Sequence, residues 1–301
     1  MGWNADQMPD HSGRRVVVTG ANSGIGLAAA IEFARRGAQV VLACRDAEKA
    51  TIAADRIRAV VPSAAPRVVQ LDLADLASVR AVTDAWREPI DLLVNNAGVM
   101  APPERMLTAD GFERQFGTNH LGHFALTGLL LPHLLAGSQP RVVTISSLAH
   151  RSGGHGVLGG NLAGRYVASQ AYSNSKLANL LFAIELQRRA AATGFTSTAA
   201  HPGLAATNLT SNQDGIAAMQ VIGKIAHPIG KIIGQSARAG ALPTLYAATA
   251  AEPGSYTGPG LFEVRGAPRP ARVAKTAADP QLAADLWGLS EELTGVTYPW
   301  P

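Results

Sequence analysis

The stretch VVVTGANSGIG, Val16 to Gly26, constrains the fold of this 301-residue chain more than any other. Three valines run into a turn carrying Gly20, Gly24 and Gly26, and LAAAIEFARRG behind it reads as a helix packed through Ile25, Ala29 and Phe33. A strand, a glycine turn and a helix N-terminus make an anion site, because unpaired backbone N–H groups and the positive end of the helix dipole converge there. Gly20 permits the tight turn, Gly24 lets a ligand approach the backbone, and Gly26 lets the helix lie against the strand. The spacing is G-x-x-x-G-x-G, which departs from the G-x-G-x-x-G dinucleotide fingerprint. Alone, such a turn can also be structural punctuation, which is the lesser reading.

Strand and helix patterns then alternate. Ala38–Arg45 (AQVVLACR), Pro66–Leu73 (PRVVQLDL), Ile90–Gly98 (IDLLVNNAG), Arg141–Ser147 (RVVTISS) and FTSTAAHPG read as further strands. Helices are expected between them, including a long one over Gly111–Leu135 and the amphipathic AYSNSKLANLLFAIELQRRA. The fold class is α/β, a single-domain Rossmann-like doubly wound parallel sheet with helices on both faces. One domain covers 1–301: a cofactor half at about 14–150, the catalytic helix and substrate-side elements at about 151–265, and a Pro-rich tail at 266–301. EPGSYTGPGLFEVRG reads as one short last strand, and the tail carries one helix, Asp279–Gly288. Asn208–Gly240 is apolar but broken by glycines and a proline, which suits a lid over an apolar substrate better than a membrane or partner contact.

Composition excludes several classes. Net charge is +4, but Lys and Arg are scattered without a basic run, which argues against nucleic acid. The single cysteine, Cys44, excludes an internal disulfide and a multi-cysteine zinc site. His120 and His123 lack a third ligand, so no metal site is read. No apolar run approaches the roughly 20 residues of a membrane span, and the N-terminus lacks a signal peptide's apolar stretch. A cytoplasmic protein is expected.

Open parallel sheets bind ligands at the carboxyl ends of their strands. An acid ending the second strand would bind a ribose 2′-hydroxyl and repel a 2′-phosphate; here Arg45 can pair with phosphate instead. Asp46 is the rival ribose ligand, yet it also starts the helix DAEKATIAADRIRAV as an N-cap. NADP(H) is therefore favoured over NAD(H). Asp72 and Leu73 end the third strand at the adenine edge, and Asn96, Ala97 and Gly98 end the fourth with amide donors and bare backbone. Asn119 has poor helix propensity inside an apolar stretch and must contact something. Strand alternation sends Ser146 and Ser147 to opposite faces. Tyr172 and Lys176 are one helical turn apart and share a face. His201 precedes Pro202 and Gly203; it is a tempting base, with backbone placement by the Pro-Gly pair as the blander reading.

With these residues laid out, the chain resembles the short-chain dehydrogenase/reductase family from about Arg14 to at least Thr257. TGANSGIG, with Asn22, Ser23 and Ile25, is similar to the family's cofactor turn, and NNAG to its next motif. Asn119, Ser147, Tyr172 and Lys176 match its catalytic set, and Pro202-Gly203 with Thr207 its motif beside the nicotinamide. ACRD, NHLGHF, SSLAH and YSNSKLAN resemble the retinol dehydrogenase and light-dependent protochlorophyllide reductase branch, which also shares the 25-residue separation of Ser147 from Tyr172. ACR in that branch implies NADP.

The resemblance implies an NADP(H)-dependent oxidoreductase interconverting an alcohol and its carbonyl, with a hydrophobic small molecule expected as substrate. Tyr172 and Lys176 would touch both cofactor and reaction. A free tyrosine, with a pKa of about 10, is a poor base, and the Lys176 charge would favour tyrosinate. Ser147 would hold the substrate oxygen, and Asn119 a water leading from Lys176 to solvent. The alternatives are a C=C reductase, or a catalytically silent dinucleotide-binding regulatory or scaffold protein. Family members assemble through the helices at about Gly111–Leu135 and Tyr172–Ala190, so a homodimer or homotetramer is expected.

Overall fold

Val16, Val17 and Val18 are 0%, 2% and 0% exposed, the two-sided burial that a central parallel strand requires. The computed structural model describes residues 2–160, 165–204 and 235–300. Its strands are β1 Arg15–Thr19, β2 Gln39–Cys44, β3 Arg67–Gln70, β4 Leu92–Asn95, β5 Arg141–Ile145, β6 Thr196–Ala200, β7 Tyr256–Leu261 and β8 Arg265–Pro270. They form one sheet in the order β3-β2-β1-β4-β5-β6-β7-β8, parallel as far as β7. Strand order reverses between β1 and β4, and the crevice at their carboxyl ends is where such sheets bind ligands.

The helices are α1 Gly24–Arg35, α2 Ala47–Val60, α3 Leu76–Ala85, α4 Arg114–Phe116, α5 Gly122–Leu129, α6 Leu131–Leu135, α7 Ala168–Arg189, α8 Ala237–Thr249 and α9 Pro280–Thr294. Phe33 of α1, Ile57 of α2 and Leu245 of α8 pack on one face of the sheet; Val79 of α3, Phe124 of α5 and Phe182 of α7 pack on the other. This is the expected doubly wound architecture. Among the described residues no helix is long and apolar enough to cross a membrane.

Three local expectations differ from the structure. The single helix over Gly111–Leu135 is divided: α4 starts only at Arg114, a π turn occupies Gly117–Leu121, and α5 and α6 follow. Gly111 is left-handed at φ +82°, and Glu113 caps the Phe116 N–H, so the helix starts late. The last strand is a hairpin of two, because Phe262 and Glu263 both take left-handed backbone and turn the chain back. The tail helix runs on to Thr294, where Gly295 at φ 62° ends it. Thr207 and positions 208–234 of the expected lid lie outside the described residues.

The tail is part of the core. Leu282, Leu286 and Trp287 of α9 are buried, and the Trp287 ring lies 5.1 Å from Phe124 of α5 and 4.5 Å from Tyr298. The Tyr298 hydroxyl donates to the Phe124 carbonyl at 2.8 Å, and the Arg189 guanidinium sits 4.4 Å over Trp287. The apolar faces of α5 and α7, read above as an oligomer interface, are thus covered by the chain's own C-terminal segment. Trp287 is 2% exposed. Trp287→Ala should cost about 3–5 kcal/mol through the cavity it leaves, read as a lower denaturant midpoint.

Candidate active site

The glycine turn has the geometry of an anion cradle. Gly20 and Gly24 hold φ of 64° and 56°, which only glycine adopts freely. A methyl group on Gly26 would lie 2.5 Å from Asn96 Nδ2 and 2.6 Å from the Gly20 carbonyl, so α1 can approach β4 only with glycine there. Asp46, Asp75, Ser236 and Asp279 cap α2, α3, α8 and α9 with their side chains; Ser23 makes no such bond to α1. The first N–H groups of α1 therefore remain available to a ligand.

The Thr19 hydroxyl ties this turn to the next motif. It accepts the backbone N–H groups of Asn96 and Ala97, each at 2.9 Å. His123 Nδ1 lies 2.9 Å from the Asn119 carbonyl and must carry the proton, so Nε2 accepts from Thr19 at 2.9 Å. Burial holds His123 neutral, its pKa pushed down to about 4. Asn96 Nδ2 donates to the Thr19 carbonyl at 2.7 Å. The two histidines of NHLGHF are core residues: His120 pairs with Ser290 at 2.8 Å.

Asn119, in the π turn, is fully buried and directs both side-chain ends at the segment after β4. Oδ1 accepts the Val99 N–H at 2.8 Å, while Nδ2 donates to the Val99 carbonyl at 2.9 Å and to Ser175 Oγ at 3.0 Å. Ser175 in turn donates to the Tyr172 carbonyl at 2.8 Å. Asn119 and Ser175 thereby lock the Val99 segment to α7.

On α7 the Tyr172 hydroxyl reaches Ser147, while Ser146 points the other way and donates to the Lys176 carbonyl at 2.7 Å. Burial raises the Tyr172 phenol, with the Ser147 bond pulling it down. Lys176 is buried with Nζ 5.8 Å over the Tyr172 ring and donating to the Ile145 carbonyl at 3.2 Å; burial pushes its pKa down to about 8.

A groove of about 820 Å³ connects these parts along the strand ends. Its walls include Gly20, Asn22, Ser23, Gly24, Ile25, Gly26, Arg45, Asp72, Leu73, Asn96, Ala97, Gly98, Ser147, Tyr172, Lys176, Pro202 and Gly203. Asn119 stands behind that wall, its Oδ1 3.2 Å from where a Gly98 methyl group would fall. A shallower cleft of about 430 Å³ between β3 and α3 holds none of these residues. Among the contributors that the motif reading missed are Thr19, Lys49 and Arg56. Thr19 carried no signal beyond its place before Gly20. Lys49 and Arg56 also line the groove, and with Ile52 they follow helical spacing along α2, Arg45 lying just before that helix.

Comparison with known proteins identifies the family. The short chain dehydrogenase family profile matches residues 14–215. Human retinol dehydrogenase 13 is 42% identical over 294 residues, covering 95% of this chain and 86% of that protein. The crystal structure of an uncharacterised protein from Mycobacterium paratuberculosis superposes with a TM-score of 0.82 at 43% identity over the whole of both chains. A structure from Beutenbergia cavernae, described as an NAD(P)-dependent gluconate 5-dehydrogenase with bound NADP, superposes at 0.62 with 29% identity over 80% of this chain and 91% of that one. Fold and groove together define a nicotinamide-dinucleotide oxidoreductase. The chain belongs to the short-chain dehydrogenase/reductase family, in its retinol dehydrogenase branch.

Below pH 8 the folded chain bears the full cost of burying the Lys176 ammonium, about 3 kcal/mol for a pKa lowered from 10.5 to about 8. Between those values the unfolded chain still holds a proton that the folded chain has released, so this contribution to stability rises with pH. The Ile145 carbonyl keeps Asn179 Nδ2 at 3.0 Å if the lysine is removed. Lys176→Met should therefore be more stable at pH 7, by about 1–3 kcal/mol, with the gap narrowing above pH 8; paired urea titrations measure it.

Proposed function

We propose that this enzyme uses NADP(H) to interconvert an alcohol and its carbonyl on a hydrophobic small molecule. The observation carrying the cofactor assignment is the cation cluster at the end of β2. Arg45 and Arg56 line the groove, and neither guanidinium has a partner among the described residues. Asp46, the acid that could select NAD(H), is engaged twice: it caps the Lys49 N–H at 3.0 Å and pairs with Lys49 Nζ at 2.9 Å. Two free guanidiniums beside an occupied carboxylate suit a 2′-phosphate. The glycine turn and the open N-terminus of α1 suit the pyrophosphate.

When bound, the dinucleotide supplies the hydride donor or acceptor. Tyr172 Oη then gives a proton to the substrate oxygen or takes one from it, and Ser147 Oγ holds that oxygen and the charge developing on it. Lys176 places a positive charge over the Tyr172 ring, favouring tyrosinate, and has donors left for the nicotinamide ribose. Both amide hydrogens of Asn119 are used by protein acceptors, so a water held there would donate to Oδ1. Val99, Met100, Ile145 and Leu204 give the groove apolar walls, and the relative named above is a retinol dehydrogenase. The proposal includes cytoplasmic location, with which the one buried free thiol, Cys44, is compatible. It also includes homo-oligomerisation, through surfaces other than the covered faces of α5 and α7.

Calorimetric titration tests the cofactor. NADPH should bind at least tenfold more tightly than NADH, about 1.4 kcal/mol, and Arg45→Ala and Arg56→Ala should each erode that preference; equal affinities would refute it. Tyr172 tests the chemistry. Oxidation needs the phenolate and should speed up as pH rises through the alkaline range, while reduction needs the phenol and should slow there. Tyr172→Phe should lower kcat by about 10²–10⁴ in both directions with nucleotide affinity retained. A Tyr172→Phe enzyme with normal turnover would move the acid–base role elsewhere.

A further inference from the structure

Phe262 and Glu263, at the tip of the β7–β8 hairpin, hold left-handed backbone with φ of 50° and 58°. Each such non-glycine residue costs about 1–2 kcal/mol and persists only where its surroundings over-determine it. Phe262 does not supply that determination, since its side chain is 89% exposed. Glu263 does. Its carboxylate turns inward, with Oε2 2.5 Å from Arg151 Nη2 and 3.5 Å from His201 Nε2, and Oε1 3.4 Å from the Arg272 N–H.

The two side chains it meets belong to the two segments that flank the proposed reaction centre. His201 is fully buried directly before Pro202 and Gly203, and its Nδ1 accepts the Gly203 N–H at 3.2 Å. The proton of the neutral ring is therefore on Nε2, facing Glu263. The seat is closely fitted: a methyl group on Gly258 would overlap His201 Nε2, and one on Gly203 would overlap the Val264 carbonyl. Arg151 lies in the short turn Leu148–Ser152 that follows Ser147. In the same turn His150 Nδ1 donates to the Ser147 carbonyl at 2.6 Å. The Tyr256 ring fills the space between, 5.3 Å from His150 and 5.2 Å from His201.

We propose that Glu263 is a positioning residue: through His201 it sets the Pro202–Gly203 turn, and through Arg151 it keeps the Ser147 segment in register with that turn. The strained hairpin tip exists to aim this carboxylate. The inference rests on the cofactor reading above, which places the nicotinamide beside Pro202–Gly203 and the adenosine end beside Arg45.

Two ligands separate its failure from failure of that reading: NADPH, and 2′-phospho-ADP-ribose, which lacks the nicotinamide. Glu263→Gln keeps the side-chain shape and removes the charge. His201→Asn keeps an acceptor for the Gly203 N–H while cutting the link to Glu263, and stands in should Glu263→Gln not fold. In each variant the ratio of NADPH affinity to 2′-phospho-ADP-ribose affinity should fall at least threefold from the wild-type value, with 2′-phospho-ADP-ribose binding unchanged. A ratio equal to wild type, or both affinities falling in proportion, overturns the proposal and leaves Glu263 a structural residue. A wild type that binds neither ligand overturns the cofactor reading itself.

Discussion

One hydroxyl, that of Thr19, ties the glycine turn to the Asn96–Ala97 segment and to the helix behind it. It stands where β1 stops and the glycine turn starts, and it spends its two lone pairs on Asn96 and Ala97 and its proton on His123. Every partner lies on a different segment from Thr19, and His123 passes the connection to Asn119 through the backbone carbonyl of that residue. A buried hydroxyl with all its bonding satisfied is worth more than its net energy: removing it leaves the Ala97 N–H without its acceptor, while the Asn96 N–H keeps the Val94 carbonyl at 3.0 Å. The glycine turn and Asn119 lie in separate stretches of sequence, and this connection links them.

The site is also held against its own electrostatic cost. Among the described residues no carboxylate lies beside the buried Lys176, and burial is what shifts its pKa. A fold selected for stability alone would place an apolar residue there; the proposed role of Lys176 beside Tyr172 is what would need the charge. The β7–β8 tip shows the same trade in its backbone, where two non-glycine residues accept left-handed conformations around an inward glutamate. Strain and buried charge sit close to the groove, whereas the strands behind it are ordinary valine and leucine packing.

The C-terminal segment changes what the two central helices are for. Their apolar faces suit pairing with another copy, as the family resemblance suggests. Here Trp287 and Tyr298 occupy that place, and Gly128 is needed because a side chain there would meet the Tyr298 ring at 2.6 Å. The tail's prolines and charges conceal this in the sequence. An apolar face read from helical periodicity shows that something covers it, without showing what.

The sequence by itself determined the α/β class, the central strands and the positions of the glycine turn, the Asn-Asn-Ala-Gly end and the Tyr-x-x-x-Lys pair. These are local properties: runs of β-branched residues bury on two faces, glycine permits the turn, and residues four apart share a helix face. It also determined that Asn119 must have partners, since a buried asparagine cannot stay unpaired. Only the tertiary structure decided which partners. Val99 and Ser175 for Asn119, His123 for Thr19 and Glu263 for His201 are contacts between separate segments of the chain. The division of the Gly111–Leu135 stretch has the same origin, because the π turn that presents Asn119 is anchored by bonds to the segment after β4 and to α7, which helical periodicity within the stretch does not encode.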